Sequence, residues 1–186
     1  MKIRHAILSA MSVMLSFTAA SHESHDHDRQ HTTWKKPSPL VERVRRATAR
    51  YRDVQVAINE GWVPGTPCVS GPNSGAMGVH FVLPPRIGDG EANADEPEAL
   101  IYEPLRNGAL RLVGVEFIIP VDAWTSKHPN AGPPSIDGHL THLVGAPNRY
   151  GLPSFYELHV WAWENNPDGN FADWNPLVSC DHQRAE

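Results

Sequence analysis

Residues 98–119 read EALIYEPLRNGALRLVGVEFII, two apolar runs joined by Asn107-Gly108. Asn-Gly between apolar runs is the strongest short-range signal for an antiparallel hairpin, because both central residues of the matching two-residue turn take positive φ. Such a turn pairs Glu103 with Leu112, and the two-residue period of a strand then sorts the faces. Val113, Val115, Phe117 and Ile119 fall on one side, Glu116 and Glu103 on the other. Two more segments alternate in the same way, AMGVHFVL at 76–83 and FYELHVWAW at 155–163. Their apolar sides carry Val79, Phe81 and Leu83, and Leu158, Val160 and Ala162. The opposite sides carry His80, Glu157 and His159, with Gly78 and Gly114 leaving room beside them.

Upstream, Ser38-Pro39 has the form of an N-cap and a first helical residue, and Leu40, Val44, Ala47, Tyr51, Val54 and Ile58 follow at three- and four-residue spacing. The spacing predicts a helix over 39–60 stopped by Gly61. Its arginines, at 43, 45, 46, 50 and 52, lie mostly off the apolar stripe and read as a solvated face. One N-terminal amphipathic helix packed on a mostly antiparallel sheet of four or five strands makes an α+β fold with long irregular loops. Residues 120–154, rich in Pro, Gly, Asn and His, read as a loop that covers or builds a site. The tail, 164–182, reads as turns running back to Cys180.

The chain has 186 residues, 16 Lys+Arg and 21 Asp+Glu, enough for one domain and lacking the basic footprint of a nucleic-acid binder. Its only long apolar run is N-terminal, so no internal membrane span is available. Residues 1–20 have basic Lys2 and Arg4, an apolar stretch and a small-residue end, the pattern of a signal peptide. Residues 21–37 form a polar tract with His22, His25, His27 and His31, expected to be disordered and able to bind Cu(II), Ni(II) or Zn(II). Residues 38–186 then form a single α+β domain. Loss of the leader takes the formal charge from −5 to about −7, and the compartment is periplasmic or secreted. In an oxidising compartment Cys68 and Cys180 read as a disulfide; no C-x-x-C spacing supports two thiolate ligands.

Acidic and imidazole side chains inside apolar strands are costly to bury unless paired, hydrogen-bonded or bound to metal. Two imidazoles and a carboxylate supply N and O ligands to a divalent ion, copper, zinc or iron, and leave positions for water or substrate. His80, Glu116 and His159 are the primary candidates. Glu103, His139 and His142 are further ligand candidates, and Glu157 is a general base or an orienting partner. The bland reading pairs Glu116 with Arg111 or Arg149 and makes the histidines satisfied core residues. Trp161, Trp163 and Phe155 fall on the His159 side and can wall an aromatic pocket, or simply cover the sheet.

The stretches Met77-Gly78-Val79-His80-Phe81, Val115-Glu116-Phe117 and Glu157–Trp163, followed by NPDG at 166–169 and NPLVSC at 175–180, resemble an uncharacterised family of exported bacterial proteins. The resemblance spans about Tyr51 to Cys180 and implies a domain boundary and export, with no activity attached. Three functions compete: a small exported metalloenzyme acting on a small molecule, a non-catalytic metal-binding or metal-delivery protein of the envelope, and an envelope domain with a purely structural polar core.

Overall fold

The computed structural model describes residues 38–183. The leader expected over 1–20 and the histidine-rich tract expected over 21–37 lie outside the described residues. Helix α1, Pro39–Thr48, starts on a proline, whose missing N–H would have no intrahelical partner there in any case. It buries Leu40, Val41, Val44 and Thr48. The single helix expected over 39–60 is broken: a 3-10 turn at Ala49–Arg52 is followed by a second helix, α2, Val54–Asn59. Asp53 is the cause, since its carboxylate accepts the Gln55 N–H and so caps a new helix. Tyr51 at the break turns inward, its ring edge-on to Trp62 and its carbonyl accepting the Tyr102 hydroxyl at 2.7 Å.

The remaining elements are β1 (Val63–Pro64), β2 (Val69–Gly71), β3 (Gly75–Val82), the single turn α3 (Pro84–Ile87), β4 (Ala99–Pro104), β5 (Leu110–Pro120), α4 (Val121–Lys127), β6 (Ser135–Ile136), β7 (His139–Leu140), β8 (His142–Val144) and β9 (Phe155–Val160). The main sheet runs β1-β3-β4-β5-β9-β8 with every pairing antiparallel; β2 pairs with β3, and β6 with β7. The fold is therefore α+β, with a large antiparallel sheet and few helices. The stretch 120–154 is less irregular than its composition suggests. It holds α4, β6, β7 and the edge strand β8 before a final loop.

The β4–β5 hairpin forms with a different turn from the one expected. Leu105 N–H bonds Ala109 O, and Gly108 N–H bonds Leu105 O, so the loop has three residues, with Gly108 at φ +82°. Glu103 consequently pairs with Arg111, not Leu112. Farther along, Ile101 pairs with Gly114 and Tyr102 with Leu112, leaving Val113 as an extra residue. This bulge turns Val113 to the face opposite Val115 and lets Leu112 take its place in the core. The bulge offsets the longer turn, so Ala99 still meets Glu116, as a two-residue turn without a bulge would have placed them.

The core lies between α1, α2 and one sheet face, where Val79, Phe81, Tyr102, Val115, Phe117, Leu158 and Val160 meet Leu40, Val41, Val44 and Tyr51. A smaller cluster of Ala76, Ile101, Val113, Trp161 and Val178 sits on the other face beneath the C-terminal tail. That tail is anchored at several points, three of them along its length. Cys180 forms a disulfide with Cys68, 112 residues away; Asn175 exchanges backbone hydrogen bonds with Ala76; and Asn170 exchanges bonds with Trp161. Gly78, at φ +109°, leaves no room for a ligand: an added Cβ would lie 2.7 Å from Tyr102 O, so this glycine permits close strand approach.

Two predictions follow from this packing. Replacing both Cys68 and Cys180 by serine removes a long loop closure and is expected to lower stability by about 3–5 kcal/mol in chemical denaturation; a change under about 1 kcal/mol would mean that the tail's hydrogen bonds hold it without the disulfide. Glu98 is buried, and desolvation pushes its carboxyl up to about 8 although it accepts the Ile118 N–H. A carboxyl raised in the folded state favours folding below its unfolded value and loses that contribution as pH climbs to the folded value. Glu98→Gln should therefore be more stable than the parent near pH 8 by on the order of 3–5 kcal/mol, the gap closing towards about pH 4.5. A gap that does not change between these two pH values in urea titrations would refute this origin.

Candidate metal centre

One row of side chains crosses the sheet face away from the helices. Glu116 on β5 and His159 on β9 are directly paired, as are Glu157 on β9 and His142 on the edge strand β8. Paired residues share a face, and the alternation along β9 puts Glu157 and His159 on the same one. His80 stands two strands from Glu116, roughly 10 Å in backbone terms at the usual strand spacing. On the intervening strand His80 is paired with Ile101 and Glu116 with Ala99, so the two longer side chains meet on a diagonal across β4, beside the single methyl of Ala99. His80 Nε2 lies 3.2 Å from Glu116 Oε2, and His159 Nε2 lies 4.0 Å from the same oxygen.

His80, Glu116 and His159 offer three ligand atoms within 4.8 Å of one another, and all three residues are buried. The Thr66 hydroxyl, 3.0 Å from His80 Nδ1, fixes that ring so that Nε2 points at Glu116. Among the described residues neither ring nitrogen of His159 has a hydrogen-bond partner, although the residue is only 1% exposed. Its ring stacks on Trp161, with centroids 6.3 Å apart. A second group, His142, Glu157 and Asp173, adjoins the first: His142 Nε2 is 2.5 Å from Glu157 Oε1 and 3.8 Å from Asp173 Oδ1. Asp173 Oδ1 is also 3.9 Å from His159 Nδ1.

The protonation states follow from burial and neighbours. Burial works to raise the Glu116 carboxyl, but His159 and His80 beside it outweigh that and hold it ionised. Glu157 moves the other way, raised by its own desolvation and by the negative charge of Glu116, so it keeps a proton at neutral pH. Desolvation pushes His159 down, against the pull of the Glu116 charge. A carboxylate and two imidazoles, one of them held by a hydroxyl, form a donor set for a borderline divalent ion.

A cleft of about 200 Å³ opens beside His80 and Glu116, with Val82, Ile118, Leu152 and Phe155 as apolar walls. Tyr150 also lines it, its phenol pushed up to about 12 by burial and by Glu116 and Glu157, so the hydroxyl stays a donor. The larger cavity, about 670 Å³, involves Val79, Phe81 and Leu110 of the opposite face and holds none of these groups.

Of the residues proposed from sequence, the structure brings together His80, Glu116 and His159, and next to them His142 and Glu157. Glu103 stands apart: it binds Arg111 and accepts the Ser179 N–H at 3.0 Å, because the three-residue turn sets it opposite Arg111. His139 also stands apart, stacked on Phe171 and 3.5 Å from the Ser38 hydroxyl. The arginines considered for Glu116 are engaged elsewhere, Arg111 with Glu103 and Glu164 and Arg149 over Trp174. Of the three aromatics expected to wall a pocket, Phe155 does. Trp161 is fully buried and lines no cleft, while Trp163 crosses to the helix side and donates to Thr48 Oγ1. Regular alternation ends with β9 at Val160, and the N–H groups of Trp163 and Glu164 both bond Val113 O. Thr66, Tyr150 and Asp173 were not singled out from sequence. Only the tail's return to Cys180 hinted that Asp173 reaches this face.

Protein-family models, curated proteins and solved structures, compared with the chain, yield no match.

Ala99→Leu tests the geometry of the centre. The larger side chain should separate His80 from Glu116 and lower zinc affinity about tenfold or more, at an overpacking cost of about 1–3 kcal/mol. Unchanged affinity by isothermal titration would show that these two residues do not hold an ion together.

Proposed function

We propose that the chain is an exported metal-binding protein and acts as a small metalloenzyme, with a divalent ion held by His80 Nε2, Glu116 and His159 Nε2. The observation that carries this reading is His159: a buried imidazole whose two nitrogens have no hydrogen-bond partner among the described residues, beside the buried carboxylate of Glu116. Unpaired buried polar atoms are expensive, and an ion at this point satisfies the Nε2 lone pair and the Glu116 charge together. The Cys68–Cys180 disulfide supports export, as does the leader-like sequence of residues 1–20.

Three protein ligands leave coordination positions open, the arrangement of a catalytic rather than a closed structural site. A divalent ion held there would supply Lewis acidity and activate water near neutral pH. The cleft beside His80 and Glu116 suits a small molecule with an apolar body, oriented by the Tyr150 hydroxyl. Glu157, protonated beside Glu116, serves as the proton-transfer group. This cleft favours an enzyme over a metal-delivery protein, whose donor set would be closed around its cargo. The donor set accepts copper, zinc or iron.

Elemental analysis of untagged mature protein, beside the His80→Ala/His159→Ala variant, tests the reading. The parent should hold about one ion per chain more than the variant. Equal content in both, after loading and dialysis, would leave this row of side chains as a structural polar core.

A further inference from the structure

The centre described above uses one nitrogen of His159. The other, Nδ1, is equally buried and equally bare, and it faces Asp173 Oδ1 at 3.9 Å. Asp173 belongs to a second convergent group with His142 and Glu157, whose ligand atoms lie within 4.8 Å of one another. Glu157 adds a further buried oxygen without a partner, Oε2. His159 thus belongs to one donor set through Nε2, with His80 and Glu116, and turns Nδ1 towards Asp173 of the other. The outer set is also the more open, since the side chains of His142 and Asp173 are 49% and 39% exposed.

We infer that the protein binds two divalent ions, the second held by His142, Glu157 and Asp173, with His159 bridging the pair through Nε2 and Nδ1. This rests on the first ion occupying the site of His80, Glu116 and His159. The chemistry balances simply. A neutral imidazole carries one N–H and one lone pair, so it can bind an ion at each nitrogen only after releasing that proton to solvent. The second ion would take Glu157 as a carboxylate ligand, so its role as proton-transfer group belongs to the protein with the first ion alone. One ion satisfies Nε2 and leaves Nδ1 buried, 3.9 Å from its nearest acceptor; two ions satisfy both. The outer ion faces solvent through His142, while the inner one faces the apolar cleft through His80, so the ions differ in access and in exchange rate.

The competing role for Asp173 is that of an orienting carboxylate, one that accepts a hydrogen bond from His159 Nδ1 while a single ion sits on Nε2. Zinc stoichiometry separates the two. In the full mature chain the N-terminal histidines contribute equally to every variant, so differences are read against the parent. His142→Ala and Asp173→Asn should each lose about one zinc per chain, His80→Ala should lose about one, and His80→Ala/His142→Ala about two. His142 lies on an edge strand and Asp173 on the surface, so these variants keep the fold, which circular dichroism without metal verifies. If His142→Ala and Asp173→Asn retain the parent's zinc while His80→Ala loses one, the second site is overturned and the first stands. If none of the variants loses zinc, both fall. The bridge has its own readout in the copper(II)-loaded protein. Spin coupling through the imidazolate should leave the integrated paramagnetic signal short of the copper content in the parent and restore it in His142→Ala. A full signal in the doubly loaded parent would refute the bridge.

Discussion

Glu116 and His159 face each other across β5 and β9 in the middle of a buried sheet face, and much of the architecture can be read as accommodating that pair. A carboxylate taken out of water without compensation costs several kcal/mol or more. Here compensation comes from the flanks. His80 reaches diagonally across β4 to the Glu116 oxygen, Thr66 holds His80, and Glu157 gives up its own charge beside Glu116. Each of these depends on strand register, so slipping any of β3, β5 or β9 by one residue would turn its polar group into the apolar core. The row thus penalises every register except the native one, whether or not an ion is bound.

The helix side supplies the stability that this arrangement requires. Leu40, Val41 and Val44 of α1 close over Val115, Phe117 and Val160, while the tail covers Ile101, Val113 and Trp161 on the other face. The sheet is buried on both sides across its centre, which is unusual for an antiparallel sheet with a single helical layer. The second cover is an irregular tail, tied by Cys68–Cys180 and by Asn175, rather than a second layer of helices. A tether of this kind suits a chain whose C-terminal segment has little apolar surface with which to hold itself down.

How far the sequence disclosed the site depends on which physical signal each residue left. Strand alternation is a strong local signal, and it put His80, Glu116, Glu157 and His159 on one face before any pairing was known. Register is non-local, and here two departures offset each other. The hairpin turn is one residue longer than Asn-Gly suggests, and the Val113 bulge adds a residue to β5. Glu116 came out on the expected side because the two cancel, and Glu103 kept its expected face with a different partner, Arg111, whereas Leu112 and Val113 exchanged faces. Asp53 shows a comparable limit. Its capping carboxylate competes with helix continuity, and apolar spacing alone reads straight through it. Asp173 left almost no trace, because irregular chain has no period from which a face can be inferred; only its tether to Cys68 hints where the tail runs.

A site assembled this way has rigid and adjustable parts, and the division bears on what it can do. His80, Glu116, Glu157 and His159 project from paired strands in the body of the sheet, Glu116 and Glu157 with strand partners on both sides and His80 and His159 with a partner on one. Such residues can be held within a fraction of an ångström of a productive geometry. Asp173 and Tyr150 come from the tail and from the loop before β9, and His142 from an edge strand paired on one side. Those segments can shift without disturbing the core. The inner donor set is therefore suited to fixing the geometry of an ion, and the outer residues to adapting to what approaches it. The apolar cleft, walled partly by the strand residues Val82 and Ile118 and partly by the loop residues Tyr150 and Leu152, spans that same division. Change in the loop can alter what the cleft admits while the ligands beneath it stay in register.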